Sequence, residues 1–223
     1  MLEYYEQRQP EYEAIYAKPE RQEDLAWLET QLLEFVSGKR VFEIACGTGY
    51  WTRRLAVSAA SVHATDASSR LVESAVASCT TGQVTGGTTD AFDVPNSPGY
   101  ERVVAGFFYS HVLLRQQSEF LRGLARAFDP GTRVALFDNK YVEGSSTPIS
   151  RHSDGVDTYQ TRKLSDGSSH EVLKNFPTHR ELELALDPFC REIEVLESKY
   201  FWLATGALGP SGPIDPQTRA GSG

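Results

Sequence analysis

The sequence predicts a doubly wound α/β fold, with a mostly parallel seven-stranded sheet, helices on both faces and an antiparallel last strand. Three observations carry this. Over residues 1–140 short apolar runs alternate with helical periodicities, as in a parallel sheet covered on both sides. Several of those runs end on an acidic residue, at Asp66, Asp90 and Asp138. The first run leads directly into a glycine turn, within FEIACGTGYW at residues 42–51.

The elements follow in chain order. Leu25, Leu28, Leu32 and Val36 recur three or four apart, which predicts an amphipathic helix over 20–36 ending near Gly38. Residues 41–45 read as the first strand and 51–57 as a helix. The pattern repeats with a strand at 61–65, a helix at 70–77 and a weaker strand at 83–88. Residues 102–108 form a continuous apolar strand, followed by a helix at 116–128, the turn Asp129-Pro130-Gly131 and a fifth strand at 133–137. Beyond it, 144–155 is polar and loop-like, and Asp166-Gly167 separates strand-like runs at 159–164 and 170–176, predicting a hairpin. Thr178-His179-Arg180-Glu181 matches a capping box and opens a helix to about Leu186. Two closing antiparallel strands follow at 193–200 and 201–208. The stretch GPSGPIDPQTRAGSG, 209–223, has no apolar periodicity and reads as a disordered tail.

Composition bounds the function. At about 100–200 residues per domain, a chain of 223 residues holds one core. A hydrophobic share of 40% and a charged share of 23% fit a soluble globular protein, and no apolar run approaches the roughly 20 residues that span a bilayer. MLEYYEQRQPEYEAIY is acidic and aromatic where a secretory signal is basic and apolar, so a cytoplasmic location is expected. Cys46, Cys79 and Cys190 match neither a disulfide framework nor a zinc spacing and are expected to be reduced thiols. Net charge is −8, and residues 1–30 hold eight acidic against three basic residues. That charge repels nucleic acid, leaving a small molecule as the expected partner of a monomer or homodimer.

Ligands of open α/β sheets bind at the carboxyl ends of the strands, where the glycine turn lies. Gly47 and Gly49 let the backbone approach a bound molecule, but the small residue of a full dinucleotide fingerprint is replaced by Thr52. Gly47, Gly49 and Asp66 alone would permit an NAD(P)-dependent oxidoreductase. Glu43, four residues before Gly47, argues otherwise: it would repel a pyrophosphate and suits a cationic ligand.

At Glu43, Gly47 and Gly49 the sequence resembles the class I S-adenosylmethionine-dependent methyltransferases, whose first motif is an acidic residue, three others, then Gly-x-Gly. The resemblance implies a Rossmann-like methyltransferase fold, S-adenosyl-L-methionine as cofactor and S-adenosyl-L-homocysteine as product. It places Glu43 near the amino-acid end of the cofactor through water or backbone, with Ala45, Cys46, Gly47, Gly49, Thr52 and Tyr16 around the donor. Asp66 corresponds to the acid that binds both ribose hydroxyls, and Ala67 and Leu71 to the adenine lining. Asp90-Ala91-Phe92 resembles the motif that meets the adenine amino group and ring nitrogen. Ala105-Gly106-Phe107 falls where the family's backbone borders the methionine part. The matches run over 41–138 and the closing elements extend them to 208. They imply one domain made of a helical lid (1–38), a cofactor core (41–140), a substrate-side insertion (141–177) and a closing unit (178–208). The missing third glycine and the bulky Tyr50-Trp51 depart from the pattern. A non-catalytic relative that binds the cofactor as scaffold or sensor is the alternative.

Substrate choice in this family is set outside the sheet. Tyr5, Tyr12 and Tyr16, spaced seven and four apart, share one helical face, with Tyr4 beside it. With Trp51, Phe107, Phe108 and Tyr109 they predict an aromatic pocket for a small aromatic or heterocyclic metabolite, of the secondary-metabolism type, methylated at oxygen or nitrogen. His111 is the candidate general base. Asp138, Asn139 and Tyr141 are placed to orient the acceptor, and Arg162 to meet an acidic group on it. No metal constellation is visible, which disfavours metal-assisted transfer.

Overall fold

The structure is a computed structural model that describes residue 13 and residues 16–153, 157–163 and 167–210. Tyr4, Tyr5, Tyr12 and most of the expected tail lie outside these described residues. The strands are β1 Arg40–Ile44, β2 Ser61–Asp66, β3 Val84–Thr88, β4 Arg102–Gly106, β5 Arg133–Asn139, β6 Ile149–Ser153, β7 Asp157–Lys163, β8 Ser169–Leu173, β9 Cys190–Glu197 and β10 Phe201–Leu208. The α-helices are α1 Gln22–Val36, α2 Tyr50–Leu55, α3 Ser69–Ala77, α4 Leu114–Ala127 and α5 His179–Leu186.

Seven strands form the main sheet in the order β3-β2-β1-β4-β5-β10-β9. The pairs from β3 to β5 are parallel, and β10 runs antiparallel to both β5 and β9. Strand order therefore reverses between β1 and β4, which makes their carboxyl ends the place for a ligand. Side chains alternate across the sheet. Val41, Val104, Ala135 and Phe137 pack with Leu28, Leu32 and Val36 of α1 on one face. Phe42, Ile44, Val103 and Leu136 pack with Phe120, Leu124 and Leu182 on the other. Leu28, Leu32 and Val36 are almost fully buried, worth about 1.5–3 kcal/mol each, which is why the threefold and fourfold spacing of α1 is kept. Thr178 and Glu181 form the capping box at the start of α5, with Glu181 N 3.3 Å from the Thr178 hydroxyl and Thr178 N 2.7 Å from the Glu181 carboxylate.

Two of the differences from the sequence reading bear on the site. The strand expected over 102–108 stops at Gly106, because Phe107 turns into the left-handed region with φ 55°. The segment expected to be a loop at 144–155 contains β6, the edge of a separate three-stranded sheet β6-β7-β8. Apart from Ile149 its residues are polar, so no alternation marked it. Backbone pairing holds it, with the Arg151 guanidinium 2.7 Å from the Glu171 carboxylate and 3.9 Å from the Tyr159 ring centroid. Among the described residues no helix is long and apolar enough to cross a membrane.

Gly49 shows what the turn after β1 demands. Its φ is +85°, and a Cβ there would lie 2.6 Å from Ala75 Cα of α3. Gly131 has a similar φ of +90° with open space around it. Gly49→Ala should therefore cost about 2–4 kcal/mol in urea unfolding, and Gly131→Ala only the backbone part, about 1–2 kcal/mol. Equal losses would show that close packing of the turn against α3 contributes nothing.

Candidate active site

The crevice at the switch point is shaped by two strained residues. Ala45 follows β1 and Phe107 follows β4, and both have φ 55°, a conformation that costs a non-glycine residue about 1–2 kcal/mol. Hydrogen bonds from Cys46 N to Thr65 O (2.9 Å) and from Phe107 N to Phe137 O (2.8 Å) hold the two turns open. Between them lies a cavity of about 240 Å³. Its lining comes from the glycine turn (Ala45, Gly47, Thr48), the end of β2 and start of α3 (Asp66, Ala67, Leu71), the segment after β3 (Thr89 to Phe92) and the end of β4 (Phe107, Phe108, His111).

Asp66 is fixed by backbone donors on two elements. Gly47 N lies 3.1 Å from one carboxylate oxygen and Ser68 N 3.0 Å from the other. These bonds orient the carboxylate, an acceptor group of the kind that suits a diol, at the cavity wall. Asp90 shapes its own loop by accepting from Phe92 N at 2.9 Å. Leu71, Ala91, Phe92 and Phe108 supply apolar walls for a flat ring.

Glu43 is buried in β1, and its Oε2 has no hydrogen-bond partner among the described residues. Burial pushes its carboxyl up to about 8; the Thr52 hydroxyl opposes this and the Asp66 charge adds to it. Thr52 acts there without a well-formed hydrogen bond, since its Oγ1 and Trp51 Nε1 also lack partners. The glycine turn is thus flanked by buried polar atoms without partners, among them a Glu43 oxygen that a cationic group would satisfy. Nucleoside walls, a diol acceptor and an unpartnered acid together fit S-adenosylmethionine. Burial, with the Glu43 and Asp66 charges adding, keeps the Cys46 thiol protonated.

Phe107 and His111 also line a second cavity of about 280 Å³. Its walls come from the segment ahead of α1 (Tyr16, Lys18, Arg21), the end of β5 and the following loop (Asn139, Ser145 to Thr147), β7 (Gln160 to Lys163), Lys174, Phe176 and Phe201. The small sheet is stapled over the main one here. Lys174 Nζ lies 2.5 Å from Asp138 Oδ1 and 2.6 Å from Ser110 Oγ, and Ser110 Oγ donates to Asp138 Oδ2. His111 Nδ1 is 2.6 Å from the Leu173 carbonyl. A carbonyl only accepts, so Nδ1 carries a proton, and in the neutral tautomer Nε2 is the basic nitrogen.

The sequence-predicted residues divide accordingly. Ala45, Gly47, Asp66, Ala67, Leu71, Asp90, Ala91, Phe92 and Phe107 line the first cavity, and Phe108, expected at the acceptor, lines it too. Tyr16, expected beside the cofactor, instead lines the second cavity with Asn139 and Arg162. Glu43, Cys46, Gly49, Thr52 and Ala105 are buried behind the surface, and Gly106 is half-buried at the end of β4. Gly106 is needed because a Cβ would meet the Phe137 ring at 2.3 Å. Four residues expected at the acceptor lie elsewhere. Trp51 is buried against Phe107 and Phe137. Tyr109 is buried with its hydroxyl on Gln117. Asp138 is consumed by Lys174, Ser110 and Asn139. Tyr141 is exposed beside Phe176. Sequence reasoning missed Thr48, Thr89, Lys18, Arg21, Lys163 and Lys174. Lys174 had a signal: a lysine inside the apolar run VLKNF needs a buried partner.

Comparison with known proteins agrees with this geometry. Residues 41–131 match a family model described as a methyltransferase domain. No curated protein matches the chain. A solved structure described as a DhpI–SAH complex is similar at 27% identity and TM-score 0.76, over 94% of this chain and 95% of that one. A DhpI–SAM–HEP complex is similar at 24% identity and TM-score 0.70, over 92% and 94%. The magnesium protoporphyrin IX methyltransferase of Synechocystis PCC 6803, with bound SAH, shares the fold at 18% identity and TM-score 0.56, over 85% and 84%.

The raised pKa of Glu43 has a measurable sign. Between the ordinary value of 4.5 and about 8 the folded chain holds a proton that the unfolded chain has lost. Stability from this group is therefore full below about 4.5 and falls as pH rises toward 8. Glu43→Gln should remove that slope, so that the ligand-free variant gains on wild type by a few kcal/mol between pH 5 and 8 in urea unfolding. Parallel pH profiles for the two proteins would show that Glu43 is ionised throughout.

Proposed function

We propose that this chain, a class I S-adenosylmethionine-dependent methyltransferase, moves the methyl group to an oxygen or nitrogen of a small acceptor held in the second cavity. The observation that supports this reading is the junction: Phe107 and His111 line both cavities, so a donor in one and an acceptor in the other meet at these residues. When bound, S-adenosylmethionine supplies an electrophilic methyl group on sulfur. The chain's own residues bind, orient and exclude water.

Asp66 and the turn Ala45 to Thr48 would hold the nucleoside. Tyr16 and Phe107 wall the junction, their ring centroids 5.4 Å apart, backed by Tyr50 stacked on Tyr16 at 3.7 Å. These rings support an acceptor with a flat or apolar part, of the aromatic or heterocyclic kind expected from sequence. His111 is oriented by Leu173 O so that its basic nitrogen is Nε2, which suits removal of a proton from a hydroxyl or amine as methyl transfer proceeds. Positioning supplies the rest of the rate.

Two measurements test the reading. Asp66→Ala should weaken S-adenosylhomocysteine binding by about 10²-fold in calorimetry, because charge-assisted hydrogen bonds of about 1.5–3 kcal/mol each are lost. Retained affinity would remove Asp66 from the cofactor site. With an acceptor found from a panel of phenols, hydroxyquinolines, N-heterocycles and their acidic derivatives, His111→Ala and His111→Asn should both lower kcat by about 10²-fold, with cofactor affinity little changed. An Asn variant of near-normal rate, or a pH–rate profile identical to wild type, would leave His111 a wall of the pocket and no base.

A further inference from the structure

We propose that the second cavity is an oxyanion-binding site, and that the acceptor carries a phosphate, phosphonate or carboxylate group. This deepens the acceptor reading above and rests on it. Five cationic side chains line the cavity: Lys18, Arg21, Arg162, Lys163 and Lys174. Among the described residues no acidic side chain does, in a chain whose net charge is −8. Such a concentration of one sign is a property of the folded cavity and runs against the composition.

The cations are built in from separate elements. Arg21 is 7% exposed; its Nη1 donates to Asn139 Oδ1 at 2.9 Å, and its Nε and Nη2 to Ser145 Oγ at 3.0 and 2.9 Å. Ser145 Oγ in turn donates to Glu20 at 2.7 Å, so one carboxylate serves both Lys18 and Arg21. Burial, and then the charge of Arg21, push the Lys18 ammonium below its ordinary pKa, while the Glu20 charge opposes them. Arg162 donates to Gln160 Oε1 at 3.1 Å, and no ion pair to Arg162 or Lys163 forms among the described residues. Lys174 is matched by Asp138. Five cations therefore face two carboxylates, and a guanidinium fork beside lysine ammoniums is the donor set that oxyanions take. An acceptor of positive charge would be repelled by this lining and by the sulfonium in the adjoining cavity.

The cofactor has a carboxylate of its own, so the test fills that site first. Inorganic phosphate, acetate and tetramethylammonium are titrated calorimetrically into the full chain saturated with S-adenosylhomocysteine. Saturable binding of phosphate or acetate in the millimolar range, weakened by added salt, is expected, with none for tetramethylammonium. The tighter anion distinguishes a tetrahedral group from a carboxylate. The double variant Arg162→Gln, Lys163→Gln should weaken anion binding at least 10-fold while S-adenosylhomocysteine affinity stays within about twofold. No anion binding by the saturated wild type would overturn the proposal. So would a 10-fold loss of S-adenosylhomocysteine affinity in the variant, which would assign these cations to the cofactor. Intact anion binding without methyl transfer to any anionic acceptor would overturn the acceptor reading alone.

Discussion

The parallel pairing of β1 with β4 is the constraint on which the rest of the molecule depends. Their register brings Ile44 beside Ala105, so the two chains leave the sheet side by side at Ala45 and at Gly106-Phe107. The segment after β1 turns to the face that carries α2 and the segment after β4 to the face that carries α4, so each bends away from the other. The left-handed backbones of Ala45 and Phe107 make that bend, and the crevice is the space it creates. The bends cost strain that a sequence would avoid in an ordinary turn, and their neighbours are chosen to tolerate it. Gly49 lets the outgoing turn lie on α3, and Gly106 lets β4 lie on the Phe137 ring. Strain concentrated at a cavity mouth and absorbed by close packing behind it is the usual signature of a site.

Electrostatics divides the cavity mouth in two. On the side of β1, β2 and β3 stand Glu43, Asp66 and Asp90; on the side of α1, β7 and β8 stand lysines and arginines. Burial holds Glu43 largely protonated near neutral pH, so the unliganded site does not carry the full cost of a buried charge, and a cationic ligand would draw the proton off. The chain is acidic as a whole, yet its positive charge is placed where the second cavity opens. Opposite signs a few residues apart, meeting at Phe107 and His111, select for direction: they favour a positive molecule entering one cavity and a negative one entering the other.

The sequence revealed what depends on backbone geometry and concealed what depends on side chains converging from distant segments. α1 was legible from Leu25, Leu28, Leu32 and Val36, because one buried face imposes one spacing. The crevice was legible from Glu43, Gly47, Asp66 and Asp90, because strand ends in a parallel sheet must gather at one edge. β6 was not, since a strand with one apolar residue among Ser, Arg and His has no hydrophobic alternation to read. The cations were not legible either. Lys18 and Arg21 resemble any polar approach to a helix, and Arg162 and Lys163 resemble the solvent face of a hairpin. Only the docking of the small sheet brings them within one cavity, and no local pattern encodes that docking. Tyr109 and Asp138 misled for the complementary reason: at a strand end, a side chain aimed into the core and one aimed at the ligand carry the same sequence signature.

That docking also explains why the position of His111 is tied to the acceptor side. Asn175 N donates to Ser110 O at 2.8 Å and Asn175 Nδ2 to Val112 O at 3.2 Å, so the end of β8 grips the backbone on either side of His111. The imidazole is held between these bonds by Leu173 O. Lys174, one residue on, is 2% exposed and joined to Asp138 and Ser110. A buried ion pair is costly to break, on the order of 3–5 kcal/mol when one partner is removed, and contributes less than that to net stability because both charges must be desolvated. Its value here is geometric. It fixes one docking of the small sheet, and that docking sets the orientation of His111 and the spacing of the cations together. A slide of β8 along the main sheet would therefore disturb the base and the acceptor cavity at once, while leaving the crevice of Asp66 and the glycine turn intact.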